Sequence, residues 1–187
     1  MRIISGIYKG RRLKTLKNNL TRPTTDKVKG AIFNVIGPYF DGGVVLDLFS
    51  GSGNLAIEAI SRGMEKAVCV DKNYEAIKII KENVANVDET GKFIIKKSDA
   101  QKALIHLKAE NRQFDLVFLD PPYAEQKIIQ QVEQLSTDNL LAEEALVVCE
   151  TDKMCELPVC IAQLKQIRKM DYGITKITIY KREVPYE

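Results

Sequence analysis

The chain has 187 residues, 45% of them apolar and 28% charged, with a net charge of +3. This is apolar material for a full core at about the length of one domain. No run is long and apolar enough to cross a bilayer, and none follows the charged start as a signal sequence would, so a cytoplasmic chain that does not enter the membrane is expected.

Cys69, Cys149, Cys155 and Cys160 match no common zinc spacing and are expected as reduced free thiols. The single histidine, His106, argues against a histidine-based metal centre or triad, and no metal is expected. The charge is unevenly spread. Residues 1–29 carry nine Lys or Arg against one acid, Asp26, a local balance of +8 that leaves −5 for the remainder. A cationic arm on an acidic body suits a phosphate backbone, because each neutralised phosphate releases counterions.

In chain order, residues 2–16 read as a hairpin with Ile3, Ile7 and Leu13 as apolar positions and Gly6 and Gly10 at turns or bulges. Val28, Ala31, Ile32 and Val35 then recur on one helical face, with Thr24 or Thr25 as N-cap and Gly37-Pro38 as the stop. After Asp41-Gly42-Gly43, buried strands alternate with amphipathic helices. The strands are 44–48, 67–71, 93–96, 116–120 and 145–150; the helices are 54–61, 74–84, 100–107 and 125–135. Residues 161–170 and 174–182 close the chain as an antiparallel hairpin about Asp171-Tyr172-Gly173. The expected fold is α/β, a doubly wound, mostly parallel, seven-stranded sheet; residues 1–40 form a basic hairpin-and-helix extension and residues 41–187 the main domain.

Two stretches carry chemistry. Val44 to Asn54 runs from a buried strand through Gly51-Ser52-Gly53 into a helix, and in such a sheet that turn lies at the ligand-binding carboxyl edge. It lacks G-x-G-x-x-G and a following Lys, so it does not read as a diphosphate cradle. Asp47 before it would repel phosphate and suits a cation such as S-adenosylmethionine, which carries an ammonium and a sulfonium. Asp71, ending the next strand, is placed for ribose hydroxyls, and Asp99, beside Ala100, for the adenine amine; Phe49, Ser52 and Lys72 complete the cofactor candidates.

The second stretch, Phe114 to Leu119, runs into Asp120-Pro121-Pro122-Tyr123. Two prolines fix φ and remove two donors, leaving a stiff turn with outward carbonyls. Hydrogen bonds from an exocyclic base amine to the Asp120 carboxylate and the Pro121 carbonyl would favour a pyramidal nitrogen with its lone pair free. Tyr123 would stack on the unstacked base.

With these residues the chain resembles the RsmD-type 16S ribosomal RNA guanine-N2 methyltransferases over essentially its whole length. The resemblance rests on Arg2 to Gly6 with Lys9-Gly10-Arg11, Arg22-Pro23-Thr24, Phe33-Asn34, Leu46 to Gly53, Glu58-Ala59 with Ser61-Arg62-Gly63, and Phe114 to Tyr123. It implies a class I S-adenosylmethionine methyltransferase sheet and a monomer acting on one guanine of 16S ribosomal RNA in small-subunit particles. Asp120, Pro121, Pro122 and Tyr123 are then catalytic, and Asp47, Gly51, Gly53, Asp71 and Asp99 bind cofactor. Lys9, Arg11, Arg12 and Arg22 in the basic arm are the candidates for RNA contact. The tetrapeptide is shared with adenine-N6 methyltransferases of DNA or RNA, which remains the alternative. At Lys29-Gly30 the chain departs from the Arg-Glu expected of the family.

Overall fold

The computed structural model describes residues 1–17 and 24–185. Helix α1, Asp26–Ile36, starts where Thr25 accepts a hydrogen bond from the Val28 amide. Then follow β1 (Val44–Asp47), α2 (Asn54–Ser61), β2 (Lys66–Asp71), α3 (Tyr74–Asn86), β3 (Phe93–Lys97), α4 (Ala100–Ala109), β4 (Phe114–Leu119), α5 (Ile128–Thr137), β5 (Leu141–Asp152), β6 (Cys160–Ile161), β7 (Leu164–Tyr172) and β8 (Thr175–Arg182). They form one sheet in the order β3-β2-β1-β4-β5-β8-β7-β6. β1 to β5 are parallel, and β8, β7 and β6 continue antiparallel.

Fold class agrees with the sequence reading, but the strand count is eight rather than seven. The extra strand is the pair Cys160–Ile161, folded back on Leu164 and Lys165 through Ala162 at φ 50°. Two residues are too few to show an alternation. α5 begins three residues later than expected, because Tyr123–Glu125 make a 3-10 turn and Gln126 Oε1 accepts from the Ile128 amide at 2.7 Å. The last turn falls on Gly173-Ile174, since Tyr172 pairs with Thr175.

Alternation along the strands sorts the sheet into two cores. Val45, Cys69, Leu116, Phe118, Val148, Ile177 and Ile179 face α1, α2 and α3, while Leu46, Val68, Val117, Val147 and Tyr180 face α4 and α5. Ile32 and Phe33 of α1 are essentially fully buried, a contribution of about 1.5–3 kcal/mol each.

The first fourteen residues pack into the α1–α3 core through Ile3, Tyr8 and Leu13. They form a short antiparallel pair: the Ile3 amide donates to Arg11 O, and the Leu13 amide to Met1 O. Ile7, expected as an apolar anchor, is instead 69% exposed, and Tyr8 is buried in its place. The turn at Gly6 causes this shift. Gly6 sits at φ +90° against α2, where a Cβ would lie 1.9 Å from Ser61 O, so the chain passes too close for any side chain there and the alternation slips by one residue.

A buried ionic cluster holds this segment. Glu58 accepts from the Ile4 and Ser5 amides, from Arg62 Nε at 2.9 Å and from Lys29 Nζ at 3.1 Å. Lys29 also donates to Arg2 O and to Asn54 Oδ1. The departure from Arg at residue 29 thus has a physical fit, since the three ammonium donors of Lys29 meet three acceptors. The four cysteines are free, and among the described residues no helix is long and apolar enough to cross a membrane.

Candidate active site

The strand order reverses between β1 and β4, so their carboxyl ends flank a topological switch point, where open α/β sheets bind ligands. Asp47 ends β1 and Asp120 follows β4, which brings the two halves of the candidate site together. Ser50 shapes the loop that follows Asp47. Its amide donates to Val70 O, its hydroxyl donates to Asp47 O, and that hydroxyl accepts from the Val70 amide at 3.0 Å. Gly51 and Gly53 have φ of 56° and 80°, and among the described residues a Cβ on Gly51 would meet nothing closer than Leu16 Cδ1 at 3.9 Å.

Asp47 is 1% exposed, and among the described residues its Oδ1 has no hydrogen-bond partner. Burial and then the neighbouring Asp71 push its carboxyl up to about 7, partly offset by the Phe49 amide donating to it. A buried, half-satisfied acid beside a glycine turn fits a group that brings positive charge, so the residues present suit a cationic cofactor. Because the folded state holds a proton that the unfolded chain releases near pH 4, this acid costs stability as pH rises through 7. Asp47→Asn is therefore expected to raise the unfolding free energy of the ligand-free protein at pH 8 by up to about 4 kcal/mol, the equivalent of a shift of roughly three units. Urea titrations at pH 5 and pH 8 measure this. A gain that does not grow with pH contradicts the account.

Asp71 accepts from the Gly51 amide at 2.9 Å and from the Asn73 amide at 2.9 Å, bracing the glycine turn from β2. Lys72 is turned to Glu125 at 2.6 Å, an exposed ion pair linking the end of β2 to the segment after Tyr123. Asp99 caps α4 by accepting from the Lys102 amide, and Ala100 and Phe49 are half-buried against the α4–α5 core. Ser52 O accepts from Asn83 Nδ2.

At the other half, Pro121 is buried and Tyr123 is 41% exposed, its hydroxyl 3.0 Å from Thr175 Oγ1. Asp120 is half-buried, and burial, then Glu150, then Asp47 hold its carboxyl well above the usual range. Glu150, on the adjacent strand, was not among the sequence candidates. Neither were Thr24, Ser50 and Asn83. For Glu150 a signal existed, since it follows the apolar run Leu146 to Cys149 as Asp47 and Asp120 follow theirs. Asn83 carried none, because its role is to link Lys14 and Ser52 across chain-distant segments.

In the basic arm, Lys9, Arg11 and Arg12 are exposed. Arg11 donates to Asn86 O and lies 5.4 Å from the Tyr8 ring centre. Arg12 and Lys14 line a groove of about 450 Å³ with Glu82, Asn83 and Asn86. Arg22, the fourth candidate, lies outside the described residues.

A parallel sheet with this switch point, extended by antiparallel strands, is the class I methyltransferase fold. The chain belongs to the RsmD-type family: residues 1–181 match the family model described as conserved hypothetical protein 95. It is 46% identical to the putative rRNA methyltransferase YlbH of Bacillus subtilis, over 97% of this chain and 99% of that one. It is 36% identical to the ribosomal RNA small subunit methyltransferase D of Haemophilus influenzae, over 82% of this chain and 79% of that one. The solved structure of the putative methyltransferase yhhF from Escherichia coli is similar with a TM-score of 0.83 and 29% identity, covering 99% of each chain.

Proposed function

We propose that this protein transfers a methyl group from S-adenosylmethionine to the exocyclic N2 amine of one guanine in 16S ribosomal RNA, acting as a cytoplasmic monomer on small-subunit particles. The observation that carries it is the Asp120-Pro121-Pro122-Tyr123 turn at the switch point, beside a glycine turn whose buried acid has one oxygen without a partner among the described residues. The similarity to ribosomal RNA methyltransferases supports ribosomal RNA as the substrate class.

The cofactor supplies an electrophilic methyl on a sulfonium. Asp47 answers its positive charge, Asp71 and Asp99 stand at the next two strand ends for its hydroxyls and adenine, and Gly51 and Gly53 let the backbone close on it. Phe49, Ser52, Lys72 and Ala100 complete the cradle's rim. Asp120 and the Pro121 carbonyl accept hydrogen bonds from the two amine N–H groups, freeing the nitrogen lone pair, and Tyr123 stacks on the flipped base. Positioning and support of the positive charge developing on nitrogen provide most of the rate. Residues 1–40 carry the RNA contact, with Lys9, Arg11, Arg12 and Arg22 on the phosphates.

Methyl transfer from labelled cofactor to undermethylated small subunits, with the product nucleoside identified by mass spectrometry, tests the reading. N2-methylguanosine is expected, and N6-methyladenosine as sole product would instead establish the adenine alternative, which rests on the same tetrapeptide. Replacing both Arg11 and Arg12 with Ala is expected to weaken RNA binding and to reduce the slope of log K against log salt by about 1–2, one unit or less per lost phosphate contact. Filter binding across a salt series measures that slope, and an unchanged one removes these residues from the interface.

A further inference from the structure

We propose that Glu150 is the positioning residue for Asp120, holding its carboxyl in one orientation through a shared proton, and that Thr24 holds Glu150 in turn from the N-terminal side. This rests on the reading of Asp120 as the acceptor for the substrate amine and adds a second carboxyl to that step.

The placement follows from strand geometry. β4 and β5 run parallel with Leu119 beside Cys149, so the next residues, Asp120 and Glu150, come side by side at the carboxyl edge. Both continue the alternation of Phe118 and Val148, which places them on the α1–α3 face of the sheet, as Asp47 does after Val45. α1 covers that face, and Thr24, two residues before it, donates its hydroxyl to Glu150 Oε2 at 3.0 Å. Glu150 is 8% exposed and Thr24 7%. A neutral hydroxyl alone is poor compensation for a buried carboxylate. The strand register sets the Asp120 carboxyl beside it, and two carboxyls can hydrogen-bond only with a proton between them.

Among the described residues, the charged and titratable groups around the pair do not supply a competing cation. Asp47 on β1, with Asp71 beyond it on β2, and Asp152 on β5 are acids, and Tyr123 is neutral. Lys176 on β8 adjoins Ile177, the partner of Glu150, but its ammonium is engaged by Glu156. Burial and these like charges favour one proton for the two carboxyls, resting on Asp120 and donated to Glu150.

When the substrate amine donates to Asp120, that proton passes to Glu150, which donates it back, and the pair keeps one negative charge. Asp120 then faces the amine as a carboxylate fixed from behind. As the carbon–sulfur bond breaks and the carbon–nitrogen bond forms, the nitrogen becomes cationic and releases an N–H proton to Asp120. The pair, now neutral with two protons, returns one to water.

Carbon-labelled carboxyl NMR of the whole protein without substrate tests the shared proton directly. Asp120 is expected to titrate above the ordinary carboxylate range in wild type. In Glu150→Gln, which retains a donor and loses the charge, it should titrate lower. In turnover, Glu150→Ala is expected to reduce kcat by roughly 10- to 100-fold while KM for the methyl donor stays within about threefold. Glu150→Gln should restore most of that loss and move the acid limb of kcat/KM to lower pH. An Asp120 titration indifferent to Glu150→Gln, or an Ala variant as active as the Gln variant, overturns the proposal. If the NMR shift is found but wild type methylates no ribosomal RNA, the functional reading fails and the carboxyl pair stands.

Discussion

Asp120→Ala is expected to lower the rate of methyl transfer by roughly 10²- to 10⁴-fold, the range for losing a positioned proton acceptor. The amine would keep only the Pro121 carbonyl, so its lone pair would stay delocalised into the ring, and the proton leaving nitrogen would lose its direct acceptor. Folding should not suffer. The Asp120 carboxyl is held well above its usual range by burial and by Glu150 and Asp47, so the folded state binds a proton that the unfolded chain releases. Such an acid costs stability as pH rises through its folded value, and removing it is expected to leave the thermal midpoint at pH 8 unchanged or higher. Single-turnover kinetics beside a melting curve separate the two effects. Unimpaired transfer in a folded Ala variant would remove Asp120 from the chemistry.

Glu58→Ala is expected to have the opposite profile, a loss of about 3–5 kcal/mol of stability, the penalty for breaking a buried ion pair. It would leave Lys29 and Arg62, 0% and 4% exposed in their side chains, without their carboxylate, and would strip the acceptors from the Ile4 and Ser5 amides. Lys29 retains Arg2 O and Asn54 Oδ1, which accept from the ammonium but carry no charge to balance it. Burial already presses the Lys29 ammonium downward, with Glu58 opposing, so in the variant it should lose its proton more readily. For a domain with a typical 5–15 kcal/mol of total stability this is a large fraction. Urea unfolding gives the free energy, and hydrogen exchange should show the first fourteen residues opening first. A loss below about 1 kcal/mol would place the cluster among interactions that break even.

Asp47 and Asp120 share a design. Each is an acid left uncomfortable by its surroundings, and the ligands expected there bring positive charge or hydrogen-bond donors. The free protein is held at some cost to stability in a form those ligands relieve, a common arrangement where groups must be oriented before the reaction.

Much of the fold was legible in the chain because its signals are local. Period-two apolar runs and period-3.6 faces marked β1 to β5 and the helices between them, and an acid or glycine at a run's end marked the carboxyl edge. Elements defined by partners were not legible in this way. β6 exists because two residues fold onto β7, and Tyr8 replaces Ile7 in the core because Gly6 passes against Ser61. Glu150 ends an apolar run as Asp47 and Asp120 do, and nothing in its neighbourhood says that Asp120 lies beside it.

The doubly wound alternation, the glycine turn without a phosphate cradle, the stiff Asp-Pro-Pro-Tyr segment and the basic arm can be read directly from the chain, because each depends on residues within a few positions of one another. Folding adds that Asp47 has no partner on one oxygen among the described residues, that Lys29, Glu58 and Arg62 lock the arm to α2, and that Thr24 reaches Glu150. These last contacts join residues 54 and 126 positions apart, as Ile4 to Glu58 and Thr24 to Glu150 show. Bonds over such separations depend on strand order and helix packing, which no local pattern encodes.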